Sequence, residues 1–139
     1  MQHGESQAAF DGEGNLLAKL SSYKPNDGGE LRDFLKAHFK WGHTRRDSCF
    51  LSVLDNYQEA VNWGKARHRW VDNQSTAVAD VELFKIDANL LSDIIVYKAD
   101  VLQAKLNMTL KRDTSHVYLI LNRIPINAIQ RFMDISEMV

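Results

Sequence analysis

The chain has 139 residues, 45% of them hydrophobic and 25% charged, with 17 Lys and Arg against 18 Asp and Glu. That is one domain's length with a globular composition, and by surface-to-volume scaling it buries roughly two-thirds of its unfolded surface without a disulfide or structural metal. A net charge of −1 excludes a general electrostatic attraction to nucleic acid or anionic lipid.

Neither a cationic, apolar leader nor a run of about 20 apolar residues is present, so the expected setting is cytoplasmic and no membrane-spanning role is expected. The single Cys49, within Cys49-Phe50-Leu51, reads as a small buried hydrophobe in a reducing compartment.

Residues 1–29 read as mostly loop, anchored by Phe10 and by Leu16, Leu17 and Leu20. Pro25-Asn26-Asp27-Gly28-Gly29 is a strong breaker. Leu31, Phe34, Leu35, His38 and Phe39 then fall on one stripe, which predicts a helix over about 30–40. The apolar run from Cys49 to Leu54 suits a buried strand. Asp55 and Gln58 have capping-box spacing, so a helix is expected over about 56–68, burying Tyr57, Ala60 and Val61.

Alternation through Ala79, Val81 and Leu83 with a change of face at Phe84 and Ile86 predicts a strand that carries a bulge or is covered on both sides. Asp87 is placed to cap a short turn. Ile94 to Tyr97 reads as a strand, 99–106 as a short helix, and His116 to Asn122 as the clearest strand of all. A last helical turn or strand starts near Ile126. Strands and helices mix without βαβ spacing or a glycine-rich phosphate loop, which makes the class α+β.

No single motif specifies an activity. The histidines (His3, His38, His43, His68 and His116) lack the spacing of a zinc site, and Ser52 lies outside any Gly-x-Ser-x-Gly elbow, so a hydrolase nucleophile is not expected. Trp63-Gly64-Lys65-Ala66-Arg67-His68-Arg69-Trp70 interleaves aromatics and cations as single-strand binders do. A helix end with cations at its negative pole explains the same pattern, and with so local a charge that reading outranks nucleic-acid binding.

Five ordered blocks are more informative: Glu30 to Leu35 with Trp41, Ser48 to Val53, Glu59 to Gly64, Leu83 to Asp87, and Val117 to Pro125. Together, over most of residues 5–130, they resemble an uncharacterised fungal domain family whose members look like degenerate relatives of the ADP-ribosyltransferase fold. The resemblance implies one domain over 1–139 with small split antiparallel sheets and flanking helices, and NAD in a cleft between the sheets.

It also implies three site positions. An Arg or His on a first strand and a Ser or Tyr on a middle strand orient the dinucleotide, and a Glu on the last conserved strand holds the ribose and offsets its developing positive charge. Ser52 matches the middle position. The Arg-bearing first strand is expected to be missing before the segment His3 to Gln7, and Val117 stands where relatives carry Glu.

His3 could replace the cation, and Asp113 could supply a carboxylate from the preceding loop. The expected function is therefore a catalytically degenerate domain that binds a protein or ligand. The alternatives are an NAD-dependent transferase or NAD hydrolase using Asp113, and a single-stranded nucleic-acid binder. Loss of a first strand would also leave a sheet edge open to residues 8–20, a protein partner or a second copy in a homodimer.

Overall fold

The computed structural model describes residues 9–39, 48–74, 82–110 and 113–134. The expected first site residue, His3, and the block residue Trp41 lie outside them, as do Ala79 and Val81.

Among the described residues are three small antiparallel sheets and three α-helices, in agreement with an α+β class. β1 (Ala9–Phe10) and β2 (Leu16–Leu17) form a short hairpin in the segment expected to be loop. Asp11 builds its turn by accepting the N–H groups of Glu13 and Asn15, each at 2.9 Å. Gly14 completes it at φ +91°, where a Cβ would lie 2.5 Å from Ile126 Cδ1, so both backbone and space call for glycine.

α1 spans Gly28–His38 and starts as the breaker predicts: Asp27 caps it, accepting Glu30 N–H at 2.8 Å. Its stripe buries Phe34, Leu35 and His38. β3 (Phe50–Leu54) leads into α2 (Tyr57–Gln74). The cap here is Asn56, whose Oδ1 accepts Glu59 N–H at 3.0 Å, and not the expected Asp55. The helix begins one residue later than the Asp55 spacing implied, and the Asp55 carboxylate instead meets His116 at 2.9 Å. Tyr57, expected inside, is 52% exposed because this start turns it outward, whereas Val61 is buried.

β4 (Glu82–Ile86) pairs with β8 (Ile129–Asp134) across the predicted bulge, which lies between Leu83 and Phe84. Asp87 caps a 3₁₀ turn at 88–90. β5 (Val96–Lys98) starts two residues after Ile94, because Ile94 closes a turn by donating to Leu91 O. It runs directly into α3 (Ala99–Lys105). β6 (Val117–Leu121) and β7 (Arg123–Ile124) flank Asn122.

The central sheet has the order β3-β6-β5. One face of β6 sends Val117, Leu119 and Leu121 into a core with Phe34, Leu35, Phe50, Ala99 and Leu102. Its other face sends Ile120 into a second core with Leu51, Leu91, Ile124 and Ala128. This two-sided burial explains the near-continuous apolar sequence of β6.

Asn122 joins the sheets. It adopts φ +68°, and its Nδ2 donates to Leu20 O at 3.1 Å and Tyr23 O at 2.7 Å, fastening the N-terminal segment to the core. Asn122→Ala removes both bonds and strains the backbone, and should cost about 2–3 kcal/mol. Asn122→Gly keeps the conformation and should cost less. Urea unfolding of the two variants checks the order.

Cys49 is fully buried, and desolvation pushes its thiol from 9.0 up to about 11. A raised folded value favours the folded state below the unfolded pKa. That contribution should be lost as pH rises from 9 to 11, with alkylation of Cys49 slow until the chain unfolds. Thiol labelling alongside unfolding at several pH values measures both effects.

Candidate functional site

The parity of β3 decides what its residues can do. Asn122 N–H donates to Cys49 O at 2.8 Å and Asp55 N–H to His116 O at 3.0 Å, and the register runs Phe50↔Leu121, Ser52↔Leu119 and Leu54↔Val117. Leu51 and Val53 therefore turn their backbone groups toward β6, while Phe50, Ser52 and Leu54 turn theirs away.

The outer edge is closed at its upstream end, where Leu20 N–H meets Ser48 O at 3.0 Å and Ser48 Oγ accepts Phe50 N–H at 3.0 Å. Farther along, the backbone groups of Ser52 and Leu54 have no partner among the described residues.

Side chains follow the same alternation, so Phe50, Ser52 and Leu54 share the face covered by α1. Ser52 is exposed, and its hydroxyl lies 2.5 Å from Nε2 of His38. His38 is only 6% exposed, and its Nδ1 lies 2.7 Å from Ser48 Oγ. A buried imidazole thus bridges two hydroxyls, fixed by the edges of the Phe39 and Phe50 rings at 5.1 and 6.0 Å.

Sequence reasoning placed His38 correctly on the α1 stripe but gave it no role. A histidine on an otherwise apolar face is the available signal. The contact to Ser48 and Ser52 spans 10 and 14 residues and depends on α1 packing over β3.

Two residues farther along the same face, a cleft of about 230 Å³ opens. Leu54, Trp63 and Val117 line it together with Glu59, Asp113 and His116. Ser52 is outside this lining, one same-face step up the strand, a separation of about 6.8 Å.

Asp113 is exposed and accepts Ser115 N–H at 3.0 Å. That hydrogen bond holds its carboxyl below the usual value, with the nearby His116 adding to the effect, so it is ionised at neutral pH. Val117 is 1% exposed and belongs to the core as well as to the cleft wall. The loop before β6 is held by buried Thr114, whose hydroxyl accepts from Gln103 Nε2, and by Lys98 Nζ donating to Ser115 O at 3.1 Å.

Two of the expected site residues, Ser52 and Asp113, therefore flank one stretch of sheet. On α2, Trp63 packs on the core and Asn62 is exposed, accepting from Gln58 Nε2 at 3.0 Å. The side chains of Arg67, Arg69 and Trp70, which the nucleic-acid reading needs, lie outside the description. Among the described residues no group of His, Cys, Asp and Glu is arranged to hold a metal, and no helix is long and apolar enough to cross a membrane.

Residues 2–138 match the family described as a domain of unknown function, DUF7587. The chain belongs to this family. No curated protein and no solved structure matches it. Within this DUF7587 domain the cleft wall depends on the Gln103–Thr114 contact, and Gln103 also accepts Leu110 N–H at 3.3 Å. Gln103→Ala leaves the buried threonine hydroxyl and that N–H unsatisfied and should cost about 1–3 kcal/mol. Chemical denaturation measures the loss, and faster amide exchange across 113–116 would show that the loop has been released.

Proposed function

We propose that this domain is a catalytically degenerate member of the ADP-ribosyltransferase type that acts as a binding module for a protein segment or ligand. The five sequence blocks supply the resemblance, including the fungal family they suggest. The observation that carries the reading is Val117. Breaking the nicotinamide–ribose bond needs a carboxylate to hold the ribose hydroxyl and offset its positive charge. At the position where the resemblance calls for that carboxylate, an apolar side chain closes the cleft wall.

Binding capacity has two sources. The cleft offers apolar surface from Leu54, Trp63 and Val117 beside the acidic groups of Glu59 and Asp113. Next to it, the outward backbone groups of Ser52 and Leu54 can pair with an extended segment, from a protein partner or a second copy, as an added strand.

Calorimetry against NAD and ADP-ribose tests the loss of chemistry: the unmodified protein should release no nicotinamide, and micromolar NAD binding with nicotinamide release overturns the reading. Light scattering over a range of concentrations tests pairing between copies. Leu54→Pro, which removes one outward N–H, should weaken any dimer found.

A second reading is favoured by Asp113, an ionised carboxylate in the same cleft. On this reading the domain is an NAD-dependent transferase or NAD hydrolase, with Ser52 orienting the dinucleotide and Asp113 serving as its acid residue. Asp113→Ala should then abolish NAD turnover while the circular dichroism spectrum stays unchanged.

A further inference from the structure

The set Ser52, His38 and Ser48 has an arrangement the proposed binding role does not use. A serine nucleophile needs a base within hydrogen-bond reach, and the base needs a third group that fixes its ring and tautomer. Ser52 Oγ is 2.5 Å from His38 Nε2, and His38 Nδ1 is 2.7 Å from Ser48 Oγ. The nucleophile is exposed and the base is buried behind it, so a reagent reaches the hydroxyl that Nε2 faces.

The outward N–H of Ser52 supplies a donor for a developing oxyanion. Such sets are recognised by geometry, and they occur on unrelated folds without the Gly-x-Ser-x-Gly elbow.

We propose that Ser52 is an acyl-accepting nucleophile with His38 as its general base and Ser48 as the positioning residue, acting on activated esters of short acyl chains. The competent tautomer carries its proton on Nδ1 and donates it to Ser48 Oγ, which also accepts Phe50 N–H at 3.0 Å. The Ser48 hydroxyl hydrogen then turns to Phe50 O at 3.5 Å. This leaves Nε2 bare to accept from Ser52.

Ser52 Oγ attacks the ester carbonyl carbon as its proton passes to Nε2. The carbon–oxygen bond to the leaving group breaks, the alkoxide takes the proton from Nε2, and the acyl group remains on Ser52. A water deprotonated by Nε2 then attacks the acyl carbonyl, the bond from the acyl carbon to Oγ breaks, Oγ takes the proton back from Nε2, and the carboxylic acid leaves with the serine restored. The cleft one step along β3, at about 230 Å³ and with Leu54, Trp63 and Val117 in its wall, has room for a short acyl chain. Ser48 carries no charge to offset the imidazolium, so turnover is slow beside that of a carboxylate-backed triad.

The test is covalent labelling of the full chain with diisopropyl fluorophosphate, read by intact mass and peptide mapping, with a p-nitrophenyl acetate burst as a second readout. One adduct is expected, on Ser52, forming faster as pH rises. Ser52→Ala should abolish the adduct and the burst.

His38→Gln should slow labelling by about 100-fold or more. Ser48→Ala should slow it less and shift the pH profile, an effect that a purely structural role for Ser48 would not produce. Ser52 is exposed and its replacement leaves the core intact, so the Ser52→Ala comparison and the pH profile decide the matter even if His38→Gln fails to fold. No adduct on Ser52, or labelling whose rate does not change with pH, overturns the proposal.

Discussion

β6 is hydrogen-bonded on both edges and covered on both faces, and the rest of the domain is arranged around that condition. A strand so placed favours apolar side chains on both faces, and Val117, Leu119 and Leu121 supply them on one and Ile120 on the other. It fixes the register of β3 on one side and β5 on the other. Through Asn122 it also holds the segment at Leu20 and Tyr23. The candidate site follows from this arrangement, because the parity imposed by β6 turns the backbone of Ser52 and Leu54 outward and their side chains toward α1.

Polar groups inside such a fold must find partners, and the way they do so gives the site its character. His38 sits at the end of an apolar helix face, where its ring nitrogens meet the hydroxyls of Ser52 in β3 and of Ser48, two residues before that strand. Ser48 in turn closes the upstream edge of β3 by accepting Phe50 N–H. The same contacts that satisfy a buried imidazole therefore orient it toward the exposed Ser52. At the other end of the face, Asp113 is held by its own turn and stays charged beside apolar Val117 and Trp63. The two halves differ in kind: one is a hydroxyl–imidazole chain, the other a cleft that carries acidic groups.

Much of the fold was legible in local pattern. The stripe from Leu31 to Phe39 predicted α1, the change of face at Phe84 predicted the bulge of β4, and Asp87 was read as a cap. The cap of α2 was misassigned because Asp55 and Asn56 both have suitable side chains at adjacent positions. What separates them is His116, 61 residues away, which takes the Asp55 carboxylate. The exposure of Tyr57 follows from the same shift. Residues 9–17 read as loop because a two-residue strand has too short a pattern to register, and it is held by pairing with β7.

The sequence by itself determined the α+β class, the buried character of Cys49 and the strand at β6, because composition and periodicity act over neighbouring positions, while Ser52 and Asp113 became residues to examine only through the resemblance of its five blocks. Tertiary structure alone decided that His38 joins Ser48 to Ser52, that Asp113 and Val117 share a cleft, and that the backbone groups of Ser52 and Leu54 turn away from β6. Those facts depend on which strand pairs with which and on how α1 lies across the sheet. The free energy of such contacts belongs to residues that are distant in the chain and adjacent only once β6 is in place.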